Sequence, residues 1–513
     1  MLELAYRIQK SEPLEVLFEL TEEYGKYGEC APLKRIFQTV LFQGCKTILA
    51  EYNYEDRGWA NEHKKFYHEV FKKYSDKTVR LHFFTSEINE ESFANLQKYE
   101  ETYLGFCVLR PLEAQKVSEA IIKPVEDKNK PAKSFVLCQE DFYVDIKVDQ
   151  QNQQRLKIRG TPFIQQDGQL GCCSHAAIAM VDNILIHGRD KPKGTREISD
   201  PYLIGDIAEL VYQLHPYAGG QRPTRGLSSL HISDVLKSMG YFPLVYEFQK
   251  DKKTPFTAER LIYYYLESKI PVILGIPVTR GNHALTVIGH SFEPDLWWGV
   301  AEMSYYSRTT SDPNYRCSTT WVQNFIVHDD NFGPYLTIPK ELIWAFTAEN
   351  LMVIVPLPMQ LNIRAEVAES TAYNTLLSIA DFRKNEESLT NQTFFEWFNI
   401  FYKHLMKNDL VLRTWLVESK QFKETSVSSV VRDIYEYVKM PEKIWLTEVS
   451  IPELFCQKRL RFGEVIIDPT GAEDRTSFLS IHVPGFMATR DADTEKIDFF
   501  NVDNDRPLEH VIR

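Results

Sequence analysis

The sequence predicts an α+β protein with three domains. Its 513 residues are 43% hydrophobic and 25% charged, a composition typical of globular proteins, and at this length roughly three domains are expected. Helical and strand-like patterns both occur. In the central region the helices come first and the strands follow, as is typical of helices packed on an antiparallel sheet. We divide the chain into residues 1–155, 156–358 and 359–513.

The charge and the cysteines argue against several classes of protein. With 71 acidic and 59 basic side chains the net charge is −12, so the molecule repels phosphate backbones and no nucleic-acid partner is expected. The eight cysteines are too scattered for a disulfide framework, which predicts reduced thiols. They are Cys30, Cys45, Cys107, Cys138, Cys172, Cys173, Cys317 and Cys456.

The first residues, MLELAYRIQKSEPLE, lack the basic and apolar regions of a secretory signal. The longest apolar runs, IPVILGIPV and LMVIVPLPM, are shorter than the roughly 20 residues that a membrane-spanning helix requires. The sequence therefore predicts a cytoplasmic protein that makes no membrane contact.

Residues 1–155 combine helical and strand-like patterns, and we expect a mixed α/β domain. Apolar residues recur at helical spacing over 32–51 and from Asn61 to Tyr74. Three strand-like runs follow: LGFCVLRPL, SFVLCQEDFYVDIKVD and RLKIRGTPF. The polar stretch 149–155 marks the predicted boundary with the central domain.

Residues 156–358 begin with CCSHAAIAMVDNILI, which is apolar nearly all round and predicts a helix buried in the centre of a domain. Asp200 and Pro201 are expected to begin a second helix. Ser228 or Ser229 begins a third, and Gly240 ends it. A further helix, TAERLIYYYLESK, leads into three predicted strands: PVILGIPV, HALTVIGHSF and NFIVHDD.

Residues 359–513 are expected to form a C-terminal α+β domain. Helical segments such as TFFEWFNIFYKHLMK precede the strand signals WLTEVSIP and FGEVIIDPTG. Neither this region nor residues 1–155 contains a catalytic motif. We therefore expect both flanking domains to recognise a substrate or a partner protein.

Three separated segments of the central domain supply the residue types of a cysteine-nucleophile site. Cys172 and Cys173 stand at the start of the buried helix, where the positive end of the helix dipole favours a thiolate. His283 begins an apolar strand, and its imidazole can take a thiol proton and return it to a leaving group. Asp329 and Asp330 lie where a strand ends in a turn, and a carboxylate there can orient the histidine.

These segments, in this order, resemble the papain-like cysteine peptidase superfamily, in particular the bacteriocin-processing, double-glycine-leader peptidases and their bacterial relatives. The likeness covers about residues 156–358. It includes Asp-Asn-Phe-Gly, which is similar to the Asn-Ser-Trp-Gly turn of papains. The resemblance implies a bacterial peptidase that cleaves an amide bond through a Cys-His-Asp triad and an acyl-enzyme, without a cofactor.

The resemblance implies that Cys173, rather than Cys172, is the nucleophile. The family has two alanines three and four residues after its nucleophile and a methionine seven residues after it. Ala176, Ala177 and Met180 stand at these distances from Cys173.

The oxyanion-hole glutamine of the family corresponds to Gln166, with Gln165 as the second choice. Gln166 precedes Cys172 by the six residues that are usual in the family, but it precedes Cys173 by seven. Because a loop absorbs an insertion more easily than a buried helix does, the helix register decides in favour of Cys173.

His283 matches the family histidine, and the papain-like turn assigns the orienting carboxylate to Asp330. Strand alternation leaves Asp329 as an alternative. The family has a short connection between these two members of the triad, whereas here 330 − 283 gives 47 positions. The aromatic segment 293–321 is therefore an insertion beside the predicted cleft, where it could shape or cover a substrate groove.

The remaining histidines do not predict a metal centre. His175, His187 and His328 show neither HExxH nor paired CxxC spacing. The chain also lacks GxGxxG and phosphate-loop motifs. We therefore expect no metal ion and no cofactor.

These features predict a papain-like thiol hydrolase that acts on a protein or peptide substrate. Two alternatives remain open. The same triad could transfer the acyl group to an amine, as in an acyltransferase or a transglutaminase-like enzyme, because water and amines attack the same intermediate. The chain could instead be a non-catalytic interaction protein on a papain-like scaffold.

Overall fold

The computed structural model combines helices with antiparallel sheets, which confirms the predicted α+β class. Residues 293–314 of the predicted insertion, and Cys456, lie outside the described residues. The described residues are 2–7, 30–125, 133–149, 152–187, 200–216, 226–250, 254, 256–279, 281–292, 315–384, 392–425, 429–455, 460–471, 477–491, 493–502 and 508–509.

The first sheet has seven antiparallel strands. They are β1 (Leu2–Arg7), β2 (Thr47–Tyr54), β3 (Thr78–Phe84), β4 (Tyr103–Leu109), β5 (Val117–Ile122), β7 (Glu140–Lys147) and β8 (Gln153–Ile164). Their order is β1-β2-β3-β4-β5-β8-β7. Its helical segments are α1 (Ala31–Phe42), α2 (Arg57–Glu62), a π-helical turn (His63–Tyr67) and a 3-10 segment (Glu90–Thr102).

The helix predicted over 32–51 is half as long as expected. It ends at Phe42, because Gly44 adopts a left-handed φ of +81° that reverses the chain. The following residues form β2 instead, where TILAEY packs as a buried strand. The helix predicted from Asn61 to Tyr74 is α2 with its π-helical continuation, which ends at Tyr67.

The second sheet carries the predicted strands of the central region. It contains β6 (Lys133–Val136), β9 (Phe242–Phe248), β10 (Val272–Val278), β11 (Gly281–Phe292), β13 (Asn324–Asp329), β14 (Gly333–Pro339) and β15 (Leu351–Leu357). The order is β14-β13-β11-β10-β15-β9, and β6 pairs with β11. The helices are α3 (Cys173–His187), α4 (Ile204–Leu214), α5 (Ser229–Ser238), α6 (Ala258–Glu267) and α7 (Lys340–Glu349).

The third sheet follows in the C-terminal region. It contains β12 (Arg316–Cys317), β16 (Val411–Glu418), β17 (Lys443–Ser450), β19 (Gly463–Ile467), β20 (Phe478–Val483), β21 (Phe486–Arg490) and β22 (Ile497–Asn501), in that order. A separate pair is formed by β18 (Leu460–Arg461) and β23 (Leu508–Glu509). The helical segments are a 3-10 turn (Ser318–Trp321), α8 (Ala365–Lys384), α9 (Gln392–Met406), α10 (Ser419–Thr425) and α11 (Ser429–Tyr437).

Strand pairing crosses both predicted domain boundaries. The boundary at 155/156 falls inside β8, because residues 153–155 of the polar stretch are the first residues of β8 and pair with β7. β6 leaves the N-terminal region to pair with β11, and β12 leaves the central region to pair in parallel with β16. The boundary at 358/359 falls between β15 and α8. One apolar core runs continuously through all three regions.

The residues predicted to begin and end α5 are confirmed, but the residue predicted to begin α4 is wrong. Ser228 caps α5 by accepting the His231 N–H at 3.3 Å, and Gly240 follows the helix with a left-handed φ of +91°, as predicted. The N-cap predicted at Asp200 is wrong. Helix α4 begins at Ile204 instead, and Asp200 is paired with Arg57 at 3.2 Å.

Helix α3 is the buried helix that the sequence predicts. The six consecutive residues 176–181 are at most 1% exposed, so the helix is enclosed on every side. Among the described residues, no helix is long and apolar enough to cross a membrane.

A buried ion network joins the second sheet to the third. Arg413 of β16 lies 2.6 Å from Glu267 of α6 and 2.9 Å from Glu448 of β17. His290 of β11 contacts the other Glu267 oxygen at 2.7 Å, and Arg461 contacts Glu448 at 3.0 Å. All five side chains are at most 3% exposed, so each charge depends on its partners.

We expect Arg413→Met to lower the free energy of unfolding by about 3–5 kcal/mol, because Glu267 and Glu448 each lose a buried charged partner. Urea denaturation followed by tryptophan fluorescence measures this change. The matched control is Lys439→Met, which breaks the exposed pair with Asp493 and should leave the urea midpoint unchanged. Equal midpoints for both variants would contradict the role assigned to the network.

Candidate active site

Cys173 is the first residue of α3, as predicted. The Cys172 carbonyl accepts the N–H groups of His175 at 2.9 Å and Ala176 at 3.1 Å, which are the first hydrogen bonds of the helix. The N–H of Cys173 therefore has no intrahelical acceptor. The half-buried Cys173 thiol lies beside this positive end of the helix dipole.

His283 is the third residue of β11, the strand that pairs with β13. Its Nε2 lies 3.0 Å from Asp329 Oδ1, and it also hydrogen-bonds with the Cys173 thiol. Since Asp329 engages Nε2, the other ring nitrogen, Nδ1, is available to the thiol. Burial opposes protonation of His283, but the hydrogen bonds with Asp329 and Cys173 outweigh it and raise its pKa to about 10.

Asp330, the predicted orienting carboxylate, directly follows Asp329, the residue that hydrogen-bonds with His283. Its Oδ1 is 3.6 Å from His283 Nε2. Neither of its oxygens has a hydrogen-bond partner among the described residues. The direct hydrogen bond comes from Asp329, the alternative that strand alternation left open, because Asp329 ends β13 beside β11 whereas Asp330 begins the turn. Burial raises the pKa of Asp330 to about 8, although the positive His283 opposes the shift.

The two adjacent cysteines hydrogen-bond to each other, and this bond makes Cys172 more acidic and Cys173 less acidic. Together with N–H groups of Ser174 and His175, the hydrogen bond from Cys173 lowers the pKa of Cys172 to about 7 in spite of burial. The same hydrogen bond and burial raise the pKa of Cys173 to about 12, against the effect of His283. In this arrangement the hydrogen bonds at the helix N-terminus favour the thiolate of Cys172 over that of Cys173.

Cys172 has a histidine neighbour of its own, but that ring is enclosed. His175 Nδ1 lies 3.1 Å from the Cys172 sulfur and accepts the Cys172 N–H at 3.3 Å. His175 is 1% exposed, and burial lowers its pKa to about 4. An enclosed, neutral imidazole cannot carry a proton to a leaving group. Of the two thiols, Cys173 therefore has the usable base.

The structure separates the two candidate glutamines. Gln165 is buried, and its side-chain oxygen accepts the Val117 N–H at 3.0 Å and faces the Cys30 thiol at 3.8 Å. Gln166 instead points to the turn after β13, where its Nε2 donates to Asn331 Oδ1 at 3.2 Å. Gln166, the first choice from the sequence, is the glutamine whose amide is available at the site.

Two buried charges hold the loop that carries Gln166. The Arg110 guanidinium donates to the carbonyls of Gln165 at 2.8 Å and Gln166 at 2.7 Å. Asp167 accepts the N–H groups of residues 170 and 171 and the Tyr67 hydroxyl. Arg110, Asp167 and Tyr67 were not predicted from the sequence as supports of the site. Of the three, only Asp167 has a signal in the local sequence, because it lies three and four residues before the N–H groups that it binds, a spacing typical of turns.

A cavity of about 260 Å³ adjoins the thiol and the imidazole. Cys173 and His283 line it together with apolar side chains, among them Leu227, Ile273 and Met352. None of its other described lining residues is acidic or basic. This space suits an apolar group of a ligand that also reaches the thiol.

The same residues form a candidate metal site. Ligand atoms of His283, Asp329 and Asp330 all lie within 4.8 Å of one another. Nitrogen and carboxylate oxygen are ligands that Zn²⁺ accepts. Spacing rules did not reveal this group, because its histidine and its carboxylates lie on different strands. A bound ion would take the His283 nitrogen that now contacts Asp329.

The predicted site residues thus meet at the N-terminal end of α3. Cys173 contacts His283, His283 contacts Asp329, and Gln166 contacts the turn that follows Asp330. Comparison with protein-family models and with curated proteins finds no match for this chain. The functional assignment therefore depends on the geometry of these residues.

We expect Cys172→Ala to lower the pKa of Cys173, because the substitution removes the acceptor of its hydrogen bond. Iodoacetamide alkylation of Cys173 at about pH 10, followed by peptide mass spectrometry, should be at least about tenfold faster than in the wild type, which corresponds to an apparent pKa at least about one unit lower. Cys172→Ser retains a hydroxyl acceptor and should fall between the two. An unchanged or raised value would show that the bond between the two thiols does not control Cys173.

We expect Asp330→Asn to stabilise the protein more at pH 8 than at pH 5. With a pKa of about 8 when folded and about 4 when unfolded, this carboxyl binds more protons in the folded state over that interval. It therefore costs stability as the pH rises. Removing a buried carboxylate without hydrogen bonds should add about 1–3 kcal/mol at pH 8, seen as a higher melting temperature.

The control is the exposed Asp76→Asn, which should leave the melting temperature unchanged at both pH values. A stabilisation by Asp330→Asn that is equal at pH 5 and pH 8 would contradict the raised pKa of Asp330.

Proposed function

We propose that the protein is a thiol hydrolase, most specifically a cysteine peptidase that cleaves an amide bond through an acyl-enzyme. The observation that carries the proposal is the continuous contact from Cys173 to His283 to Asp329 beside a cavity. A nucleophile, a base and an orienting group in mutual contact form the arrangement that activates a thiol.

In the proposed reaction the neutral form of His283, whose population grows as the pH approaches its pKa of about 10, takes the proton of Cys173 through Nδ1. The sulfur then attacks the carbonyl carbon of the substrate. Asp329 holds the imidazole through Nε2 and stabilises the imidazolium. The imidazolium then gives its proton to the leaving amine as the carbon–nitrogen bond breaks. Water, deprotonated by His283, hydrolyses the thioester and releases a carboxylic acid and the free thiol.

Gln166 and the Cys173 N–H are the proposed oxyanion donors. The Gln166 amide now donates to Asn331, so the carbonyl oxygen of a substrate would replace that acceptor. Arg110 and Asp167 fix the backbone of the loop. The donor is therefore held in place before the substrate binds, which is the condition for effective oxyanion stabilisation.

We also propose that residues 156–358 have a papain-like arrangement. The features that support it are a buried helix with cysteine at its N-terminus and an antiparallel sheet that supplies the histidine and the carboxylate on neighbouring strands. A reactive thiol requires reducing conditions, so we place the protein in the cytoplasm. The flanking regions are proposed to bind a protein or peptide substrate or a partner protein.

The proposal is tested by incubating the full chain with a mixture of defined peptides and following their cleavage by mass spectrometry. Cys173→Ala and His283→Ala should abolish cleavage. Asp329→Ala should lower kcat/KM by about 10²–10⁴-fold and Gln166→Ala by about 10²–10³-fold. Cys172→Ala should remain active. Cleavage that survives Cys173→Ala but is lost in Cys172→Ala would reverse the assignment of the nucleophile.

Three further measurements separate the other readings. Adducts with added primary amines, in place of hydrolysed products, would establish an acyltransferase or a transglutaminase-like enzyme. Absence of any selectively alkylated cysteine at neutral pH would favour a non-catalytic interaction protein. Loss of activity in EDTA, restored by Zn²⁺, would assign the chemistry to the candidate metal site.

A further inference from the structure

A second cavity, of about 830 Å³, lies against the first sheet. It is enclosed in part by Tyr54, Asp56, Glu119, Asn183 and Tyr202, and we call it the acidic cavity. Its described lining contains eight carboxylates and three basic side chains, and none of its described lining residues also lines the cavity beside Cys173. It is therefore a separate space with an excess of negative charge.

Most of the charges around this cavity already have partners. Arg80 pairs with Glu51 at 2.6 Å, and Arg57 pairs with Asp200 at 3.2 Å. Glu119 has no ion-pair partner among the described residues. It is half-buried on β5, it hydrogen-bonds with Asn183, and burial and the nearby Asp56 raise its pKa to about 7. A ligand with a positive charge would supply an ion-pair partner for Glu119.

Asn183 gives an independent sign of a missing donor. Its side chain lies on α3, is 8% exposed, and lines the cavity. Its Oδ1 has no hydrogen-bond partner among the described residues. Because a buried acceptor without a donor is costly, this position calls for an N–H or O–H group from a molecule in the cavity.

The walls of the cavity already accommodate one organic cation. The Arg80 guanidinium lies over the Tyr54 ring, with its carbon 4.0 Å from the ring centre, and 5.7 Å from that of Phe106. Such contacts are favourable for ammonium and guanidinium groups. A single metal ion fits less well. Within the described part of the chain, the three-ligand group close enough to hold one is His283, Asp329 and Asp330, away from this cavity.

We propose that the acidic cavity binds an organic cation that carries N–H donors, an alkylammonium or a guanidinium, with Glu119 as its counter-charge and Asn183 Oδ1 as its hydrogen-bond acceptor. Two sources present this chemistry: a free polyamine, or the lysine or arginine side chain of a peptide. The site does not depend on the thiol chemistry, because none of its residues belongs to the proposed triad.

The test uses isothermal titration calorimetry on the full chain with spermidine, with a capped arginine amide and with a capped citrulline amide. Citrulline has the shape of arginine without its charge. We expect one molecule of a cation to bind per chain, and citrulline to bind at least about tenfold more weakly than arginine. Tighter binding of spermidine than of capped arginine identifies a free polyamine as the source, and the reverse order identifies a side chain.

Glu119→Gln and Asn183→Ala should each weaken binding of the preferred cation at least about tenfold. Glu113→Gln is the matched control, because it neutralises an exposed carboxylate that is absent from the cavity lining, and it should bind as the wild type does. Melting curves report whether each variant is folded. The arginine–citrulline comparison needs no variant.

The proposal is overturned if neither cation binds at about 10 mM, if citrulline equals arginine while spermidine does not bind, or if folded Glu119→Gln binds unchanged. Proposed function and this proposal fail separately, since Cys173→Ala should abolish peptide cleavage and leave cation binding intact.

Discussion

Helix α3 is enclosed between two sheets, and this packing places both the cavity beside Cys173 and the acidic cavity. It contacts β7 and β8 of the first sheet and β10 and β11 of the second. Its middle is wholly apolar and has no solvent-exposed face. The polar side chains of the helix therefore lie nearer its ends, where Cys173 contacts β11 and Asn183 contacts β5. At 1.5 Å per residue these two positions are about 15 Å apart along one rigid element.

The two carboxylates beside His283 show how neighbouring positions acquire different roles. Asp329 accepts hydrogen bonds from the imidazole and from the Asn331 N–H. Asp330 is more deeply buried and accepts no hydrogen bond from the described residues, and burial favours its neutral form. Two carboxyls of one residue type within reach of a single ring thus have different surroundings, which are set by burial and hydrogen bonding.

The sequence was informative where one segment carries its own signal. The all-round apolar pattern predicted α3, the apolar run from His283 predicted all of β11 except its first two residues, and Ser228 or Ser229 was predicted to begin α5. Prediction failed where partners come from distant segments. The apolar pattern of residues 43–51 is compatible with the helical period and with the strand period. Pairing with β3 makes the residues from Thr47 onward a strand. Likewise, the choice between Asp329 and Asp330, and the support from Arg110, depend on contacts between elements far apart in the chain.

Strands β6 and β12 each pair with a strand from another region of the chain, and this pairing affects how the chain folds during synthesis. Val136 pairs with Gly289, and Cys317 pairs with Leu412, so each short strand must wait for a partner made much later. Contacts between such distant residues slow folding, because a long loop must close before they form. The N-terminal sheet can assemble early, but the second sheet acquires its β6 edge only after β11 emerges from the ribosome. Until then, a nascent chain exposes an unpaired strand, which is the kind of surface that chaperones protect.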